Sequence, residues 1–250
     1  MRGRDGTETQ EMIDLHCRIL PGVDDGPESM DEAIEMCKVA IADGTRTVVA
    51  VPHHLNGLYY NEVPRILEEV ERSRGALKEE GLDIEIVPGA DIHIHPRLLD
   101  MIRKREAMTI NDNGHVVMLE FPYYFPPEVM VRFICALSDE GIIGVISHPE
   151  RCTQFEQDGV PEELIDAGAV AQVTAFSLIG GFGRGIQRLA RKMIKKGLIH
   201  VIASDAHSPG GRPPMLSDAV GEAANLVGEE KALRMVSSHP KALIEGARPN

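Results

Sequence analysis

Seven short apolar runs punctuate the chain: "MIDLH" from Met12, "RTVVAVPHH" from Arg46, "IEIVPGADIHI" from Ile84, "HVVMLEFP" from His115, "GVISHPE" from Gly144, "AVAQVTA" from Ala169 and "IHVIASDAH" from Ile199. Their β-branched content and bounded length predict strands. Longer stretches with helical spacing lie between them. One runs from Ser29 to about Asp43, where Ser29 and Glu32 have the spacing of a capping box and Gly44 supplies a stop. Strand–helix alternation of this length predicts a parallel sheet with crossover helices. Periodicity alone does not separate an open doubly wound sheet from a closed barrel. No glycine-rich fingerprint follows the first strand, which favours the barrel, an α/β fold of the TIM-like (β/α) kind. One domain is expected over residues 1–250, with the polar opening 1–11 as a tail.

The reactive side chains are placed unevenly. His16, His53, Asp91, Glu120, His148 and Asp205 each fall at or just past the C-terminal end of a predicted strand. In a (β/α) barrel those ends converge on one face. Taken singly, His16 fits a hydrogen-bonded core histidine, His53 and His54 a loop pair, and Asp205 a helix cap. Taken together they need a partner, because acids and histidines seldom sit buried alone. Oxygen and imidazole donors without thiolates suit manganese, iron or zinc, which act as Lewis acids and activate water. His207, two residues past Asp205, extends the set. "SHPERC" adds Arg151, whose planar fork matches a phosphate, although a surface pair with Glu150 or Glu156 is the plainer reading. Arg212, in the glycine- and proline-rich stretch 207–214, is a second candidate anion contact on an expected mobile loop.

Charge and cysteine content narrow the class further. The chain carries a formal net charge of −13, which disfavours a nucleic-acid partner. Four cysteines, Cys17, Cys37, Cys135 and Cys152, form no CxxC pair, as expected of free thiols in a reducing compartment. No long apolar run or signal-like segment stands out, so a soluble cytoplasmic protein is expected. "GFGRGIQ" at 181–187 lacks the end of a phosphate-binding P-loop and is read as the opening of a helix whose basic face is solvated.

"DLHCRILPGVDDG", "VPHHLNGLYYNE", "MLEFPYYFPP", "ISHPERC", "FSLIGGFGRG" and "GLIHVIASDAHS" together resemble the PHP-type protein-tyrosine phosphatases of bacterial capsular and exopolysaccharide operons. The resemblance runs from about Ile13 to Pro214. It implies a distorted seven-stranded (β/α) barrel, the PHP fold, with two or three divalent ions, manganese ahead of iron or zinc. It also implies hydrolysis of phosphotyrosine on the tyrosine-rich tail of a membrane-associated autokinase, with the phosphatase recruited to the inner membrane surface by that partner. Its ligands fall on His16, Asp25, His53, Asp91, Glu120, His148, Asp205 and His207. Arg151 and Arg212 match its phosphate contacts, and His53 is a candidate to assist the leaving group. The oligomeric state stays open.

Two positions depart from that pattern. Arg18 stands where a second histidine of His-x-His is expected, and Asp91 replaces a glutamate. Arg18 has three readings: it weakens one metal site while two ions still work, it marks a phosphotyrosine-binding regulator with little catalysis, or it grips phosphate itself. His93 could approach the vacated position, against the plainer reading of His93 and His95 as a surface pair. A small-molecule phosphatase, such as one acting on histidinol phosphate, is the further alternative.

Overall fold

The computed structural model describes residues 11–249, so the expected tail lies outside the described residues except for Glu11. The first half of the chain runs β1 (Met12–Cys17), α1 (Met30–Asp43), β2 (Thr45–Ala50), β3 (His53–His54), α2 (Val63–Glu79), β4 (Glu85–Pro88), β5 (Asp91–His93), α3 (Leu98–Arg103), β6 (Val116–Glu120) and α4 (Pro127–Asp139). The second half continues with β7 (Ile143–Ser147), α5 (Val160–Asp166), β8 (Val170–Thr174), α6 (Ala175–Leu178), α7 (Arg184–Lys195), β9 (Val201–Ala203), α8 (Ser217–Val227), α9 (Glu229–Arg234) and α10 (Ser238–Ile244).

All strand pairs are parallel. They fall into a three-stranded sheet, β1-β2-β4, and a six-stranded sheet, β3-β5-β6-β7-β8-β9. The two sheets are one wall, because β2 runs on into β3 and β4 into β5 after short breaks. Each of the seven runs read from the sequence is thus one stave of the barrel. The wall closes between its last and first staves: Cys17 bridges Ala206, Asp205 N–H donates to His16 O at 2.8 Å, and Arg18 N–H donates to Ala206 O at 2.9 Å. Asp14 reinforces this seam, accepting from Ser204 N–H at 2.9 Å and from the Ser204 hydroxyl. Burial pushes its carboxyl up to about 6 in spite of those bonds.

Alternation decides what each stave faces. Leu15, Val49, Val51, Val87, Val116, Met118, Val145, Val170, Val201 and Ala203 form an inner cluster that fills the barrel, while their neighbours Val48, Ala50, Val117, Leu119, Ala171 and Ile202 pack against the helices. Leu243 of α10 joins the inner cluster, and Asn113 holds α10 in place through Leu243 O at 3.2 Å. The ends of the strands opposite this plug are left for chemistry.

The helices obey their local signals. Ser29 caps α1 by accepting from Glu32 N–H at 3.2 Å, and Glu32 returns a bond to Glu28 N–H at 3.0 Å, one residue before the position a capping box would use. Gly44 ends α1 at φ 101°. Among the described residues no helix is long and apolar enough to cross a membrane.

Gly89, in the break between β4 and β5, sits where the interior leaves no room for a side chain. A Cβ on Gly89 would lie 2.9 Å from Val51 Cγ1, 3.0 Å from Val49 Cγ1 and 3.1 Å from Ile110 Cδ1. Gly89→Ala should therefore destabilise the fold by about 1–3 kcal/mol through overpacking. Urea denaturation should show a lower midpoint at unchanged slope; an unaltered midpoint would mean that the interior yields at this point.

Candidate metal centre

Strand ends bring the acids and imidazoles to one cavity of about 160 Å³, whose wall includes Arg18, Asp25, His53, Glu120, His148, Arg151, Asp205, His207 and Arg212. Three groups of donors have mutual separations within 4.8 Å: His16, Asp91 and His148; Asp25, His53 and His207; and His53, Asp91 and Glu120. All eight expected ligand positions are thereby gathered, since Asp205 Oδ1 lies 3.2 Å from His16 Nε2. His93 and His95 join none of these groups, and His95 Nδ1 accepts from Arg97 N–H at 3.2 Å.

Local backbone places each donor. The pairing of β1 with β2 shifts register between Asp14 and Cys17, a bulge that lets consecutive Leu15 and His16 both turn inward. His16 Nδ1 meets Gln172 Oε1 at 3.1 Å, so the proton sits on Nδ1 and the Nε2 lone pair is left for the cavity. His207 is held alike: Nδ1 meets Asp205 O at 2.8 Å, and Nε2 faces Asp25 Oδ2 at 3.4 Å. His148 and Asp205 adopt left-handed φ of 37° and 52°, a region uncommon outside glycine that Asp and His enter more readily than other side chains. Asp24 ties the first loop to β3, accepting from His53 N–H at 3.0 Å, and Asn61 Nδ2 clamps the same junction through Val23 O and His53 O. Gly26 permits the loop to turn back over Arg18, for a Cβ there would lie 2.5 Å from Arg18 O.

Fixed cations meet the acids. Arg18, 1% exposed, donates from Nη2 to Asp91 Oδ2 at 2.7 Å and from Nη1 to Val51 O, and Nη2 stands 3.2 Å from His53 Nδ1. Its guanidinium is thus engaged by the protein itself. Arg151 and Arg212 both donate to Asp205 Oδ2, at 2.6 and 2.5 Å, whereas Glu150 turns away to Ser177 and the N–H of Thr174. The surface pairing considered for Arg151 is therefore not the one adopted. Both guanidinium groups rest over Phe182, 5.4 and 5.5 Å from its ring centre, and Phe176 meets that ring edge-on. Phe182 and Asp24 carry little signal in the sequence. A lone aromatic inside "GFGRG" and the first acid of "DDG" were the available signals.

The loop carrying Arg212 is closed on itself, with His207 N–H donating to Arg212 O at 3.0 Å and Arg212 N–H to the Ser208 hydroxyl at 3.1 Å.

The carboxylates and His148 hold the charge states that cation binding requires, whereas at His53 burial is outweighed by the bond to Glu120 and the nearby acids, which raise it above its ordinary value. Burial raises the Asp91 carboxyl, but Arg18 and the neighbouring histidines outweigh it and hold it well below the usual carboxylate range. Asp205 is likewise depressed against burial, by His16 and Arg151. Asp25 is lowered to about 2, first by the adjacent His207 ring. Burial and then Arg151 drive His148 well below its ordinary value, so it is neutral near pH 7. Ionised carboxylates with neutral imidazoles are the donor set that divalent ions take.

A family model for capsular polysaccharide synthesis, CpsB/CapC, matches residues 12–245. The chain belongs to this family. It is 35% identical over 198 residues to the tyrosine-protein phosphatase YwqE of Bacillus subtilis, covering 79% of this chain and 78% of that protein. It is 37% identical over 206 residues to the putative tyrosine-protein phosphatase CapC of Staphylococcus aureus, covering 82% and 80%. The crystal structures of YwqE and of CpsB from Streptococcus pneumoniae, described as unique metal-dependent tyrosine phosphatases, include a chain that superposes with a TM-score of 0.90 at 32% identity over 96% of each chain. Like those CpsB/CapC relatives, the chain has an α/β barrel of parallel strands, and the donor triads crowd its mouth.

Divalent ions should stabilise this cluster. Mn2+ at a hundred times its Kd adds about 2.7 kcal/mol per ion to a metal-stripped protein, a rise in Tm on the order of 5–10 °C for a chain of this size. Calorimetry with and without Mn2+ checks this; an unmoved Tm would mean that the triads hold no ion.

Proposed function

We propose that this chain is a metal-dependent protein-tyrosine phosphatase, a single phosphoesterase domain that regulates capsular or exopolysaccharide synthesis. Its proposed substrate is the phosphorylated tyrosine-rich tail of a membrane-associated tyrosine autokinase. One observation carries the reading: histidine–carboxylate triads face two arginines across a single cavity. The eight residues His16, Asp25, His53, Asp91, Glu120, His148, Asp205 and His207 would bind divalent ions, manganese first and iron or zinc as alternatives, which supply Lewis acidity and an activated water.

The chain's own groups do the rest. Arg151 and Arg212 present planar forks from the same side and would hold the phosphoryl oxygens, over which charge spreads during transfer. Phe182 beneath both guanidinium groups keeps the forks together. Tyr59 stacks on His53 with a ring separation of 6.1 Å and 7° between planes, offering an aromatic neighbour at the cavity edge for the substrate's phenyl ring. Phenolate, with a pKa of about 10, leaves readily, so the site needs no strong general acid. Cysteine does not compete as nucleophile: Cys17, Cys37 and Cys152 are buried, and burial pushes the thiols of Cys37 and Cys152 up to about 12. Cys135, exposed on α4, contributes nothing to the cavity wall.

Kinetics of the Mn-loaded protein on a phosphotyrosyl peptide, a phosphoseryl peptide and histidinol phosphate test the proposal. The phosphotyrosyl peptide should be preferred, and Arg151→Ala or Arg212→Ala should each lower kcat/KM for it by about a hundredfold. A preference for histidinol phosphate would move the substrate to small phosphates. Tight binding of the peptide without turnover would make the chain a phosphotyrosine-binding regulator.

A further inference from the structure

We infer that the guanidinium of Arg18 takes the place of a divalent ion in the triad of His53, Asp91 and Glu120, so that the cavity binds two metal ions, one in each of the other two triads. The inference rests on the metal-dependent reading above and fixes the number and position of its ions.

The crowded triad already surrounds a cation. His53 Nδ1 lies 3.3 Å from Glu120 Oε2 and 4.0 Å from Asp91 Oδ2. Arg18 Nη2 contacts two of these three donors, Asp91 Oδ2 at 2.7 Å and His53 Nδ1 at 3.2 Å. A metal would need the same two atoms at about 2.1 Å, which would press a divalent charge against a nitrogen that never gives up its proton. Nor is Arg18 free to withdraw. Its Nη1 donates to Val51 O, its side chain is 1% exposed, and the backbone at Gly26 lies against its Cβ. Asp24 Oδ2, 3.9 Å from Nε, adds a further acid beside the guanidinium.

The other two triads keep their donors within reach of an ion: Arg212 Nη1 stands 3.1 Å from His207 Nε2, but the Arg212 side chain is 27% exposed at the cavity mouth and has room to withdraw, as Arg18 does not. His53 turns its second nitrogen, Nε2, to Asp25 Oδ1 at 3.7 Å, and His207 Nε2 completes that group from the far side. Arg18 hydrogen-bonds to neither Asp25 nor His207. In the deeper triad His16 Nε2 is buried without a hydrogen-bond partner, 3.6 Å from Asp91 Oδ2 and 3.2 Å from Asp205 Oδ1. His148 Nε2 stands 4.0 Å from the same Asp91 oxygen. Asp91 Oδ2 has a second lone pair to offer while it accepts from Arg18, and Oδ1 is held by the Ser147 hydroxyl at 3.1 Å. The single aspartate thus faces a metal on one side and a fixed organic cation on the other.

Elemental mass spectrometry of the purified full chain after saturation with Mn2+, with anomalous diffraction from crystals of the same protein, tests the inference without reference to turnover. The wild-type chain should hold two equivalents, with anomalous peaks at Asp25–His53–His207 and at His16–Asp91–His148. Arg18→His should hold a third equivalent at Asp91 and Glu120, with the introduced imidazole as its nitrogen donor. Three equivalents in the wild type, or a peak among His53, Asp91 and Glu120, overturns the inference and leaves the phosphatase reading standing. Two equivalents in a folded Arg18→His chain also overturns it, because the guanidinium would not be what excludes the ion. A folded wild type that binds no Mn2+ overturns the phosphatase reading as well. The wild-type peaks alone decide the matter if the variant does not fold.

Discussion

Four carboxylates, Asp25, Asp91, Glu120 and Asp205, face one another across the mouth of this barrel, and the surrounding structure follows from the need to neutralise them. Ionised acids in a poorly hydrated site repel and lose solvation, so they require cations close by. The protein supplies three, Arg18, Arg151 and Arg212, although the chain as a whole is acidic by thirteen charges. Removing one partner of a buried pair such as Arg18–Asp91 leaves an uncompensated charge and costs on the order of 3–5 kcal/mol. The barrel gives the rigidity that keeps such groups in register, and a backbone hydrogen bond anchors each of the two left-handed residues, from Arg151 N–H to His148 O and from Asp205 N–H to His16 O.

Much of this frame was legible along the chain because alternation and helical spacing report burial directly. All seven strand segments lie where their apolar runs stand, and the ends that carry His16, His53, Asp91, Glu120, His148 and Asp205 converge as parallel strands require. Helix α1 begins and ends on its cap residues for the same local reason. What the pattern could not report is contact across long separations. "RTVVAVPHH" reads as one unbroken strand, yet it parts between Ala50 and His53, and the third stave, "IEIVPGADIHI", parts where Gly89 meets Val49 and Val51. Asp14, in a strand that also carries His16, joins the first and last staves instead of entering the cavity. Arg151 passes over its sequence neighbour Glu150 for Asp205, and Phe182 reaches the arginines from a loop read only as a helix start.

Membership of the CpsB/CapC family explains the overall likeness, and Arg18 is where this chain departs from the His-x-His pattern that the resemblance implies. The replacement is not a loose surface change. Arg18 is among the largest fully buried side chains, and Gly26, Val51, Asp24 and Asp91 are arranged around it. A site can change its complement of metal ions in this way and keep its charge balance, since a guanidinium carries its positive charge at any physiological pH.

The most direct test of a phosphatase that relies on cations at the barrel mouth and not on a thiolate is hydrolysis of a phosphotyrosyl peptide as Mn2+ is titrated into metal-stripped protein, with and without prior alkylation of its thiols. The rate should start near zero, rise to a plateau with bound metal and be indifferent to alkylation. Full activity in the stripped protein, or its abolition by alkylation of Cys135, would refute the metal-based account.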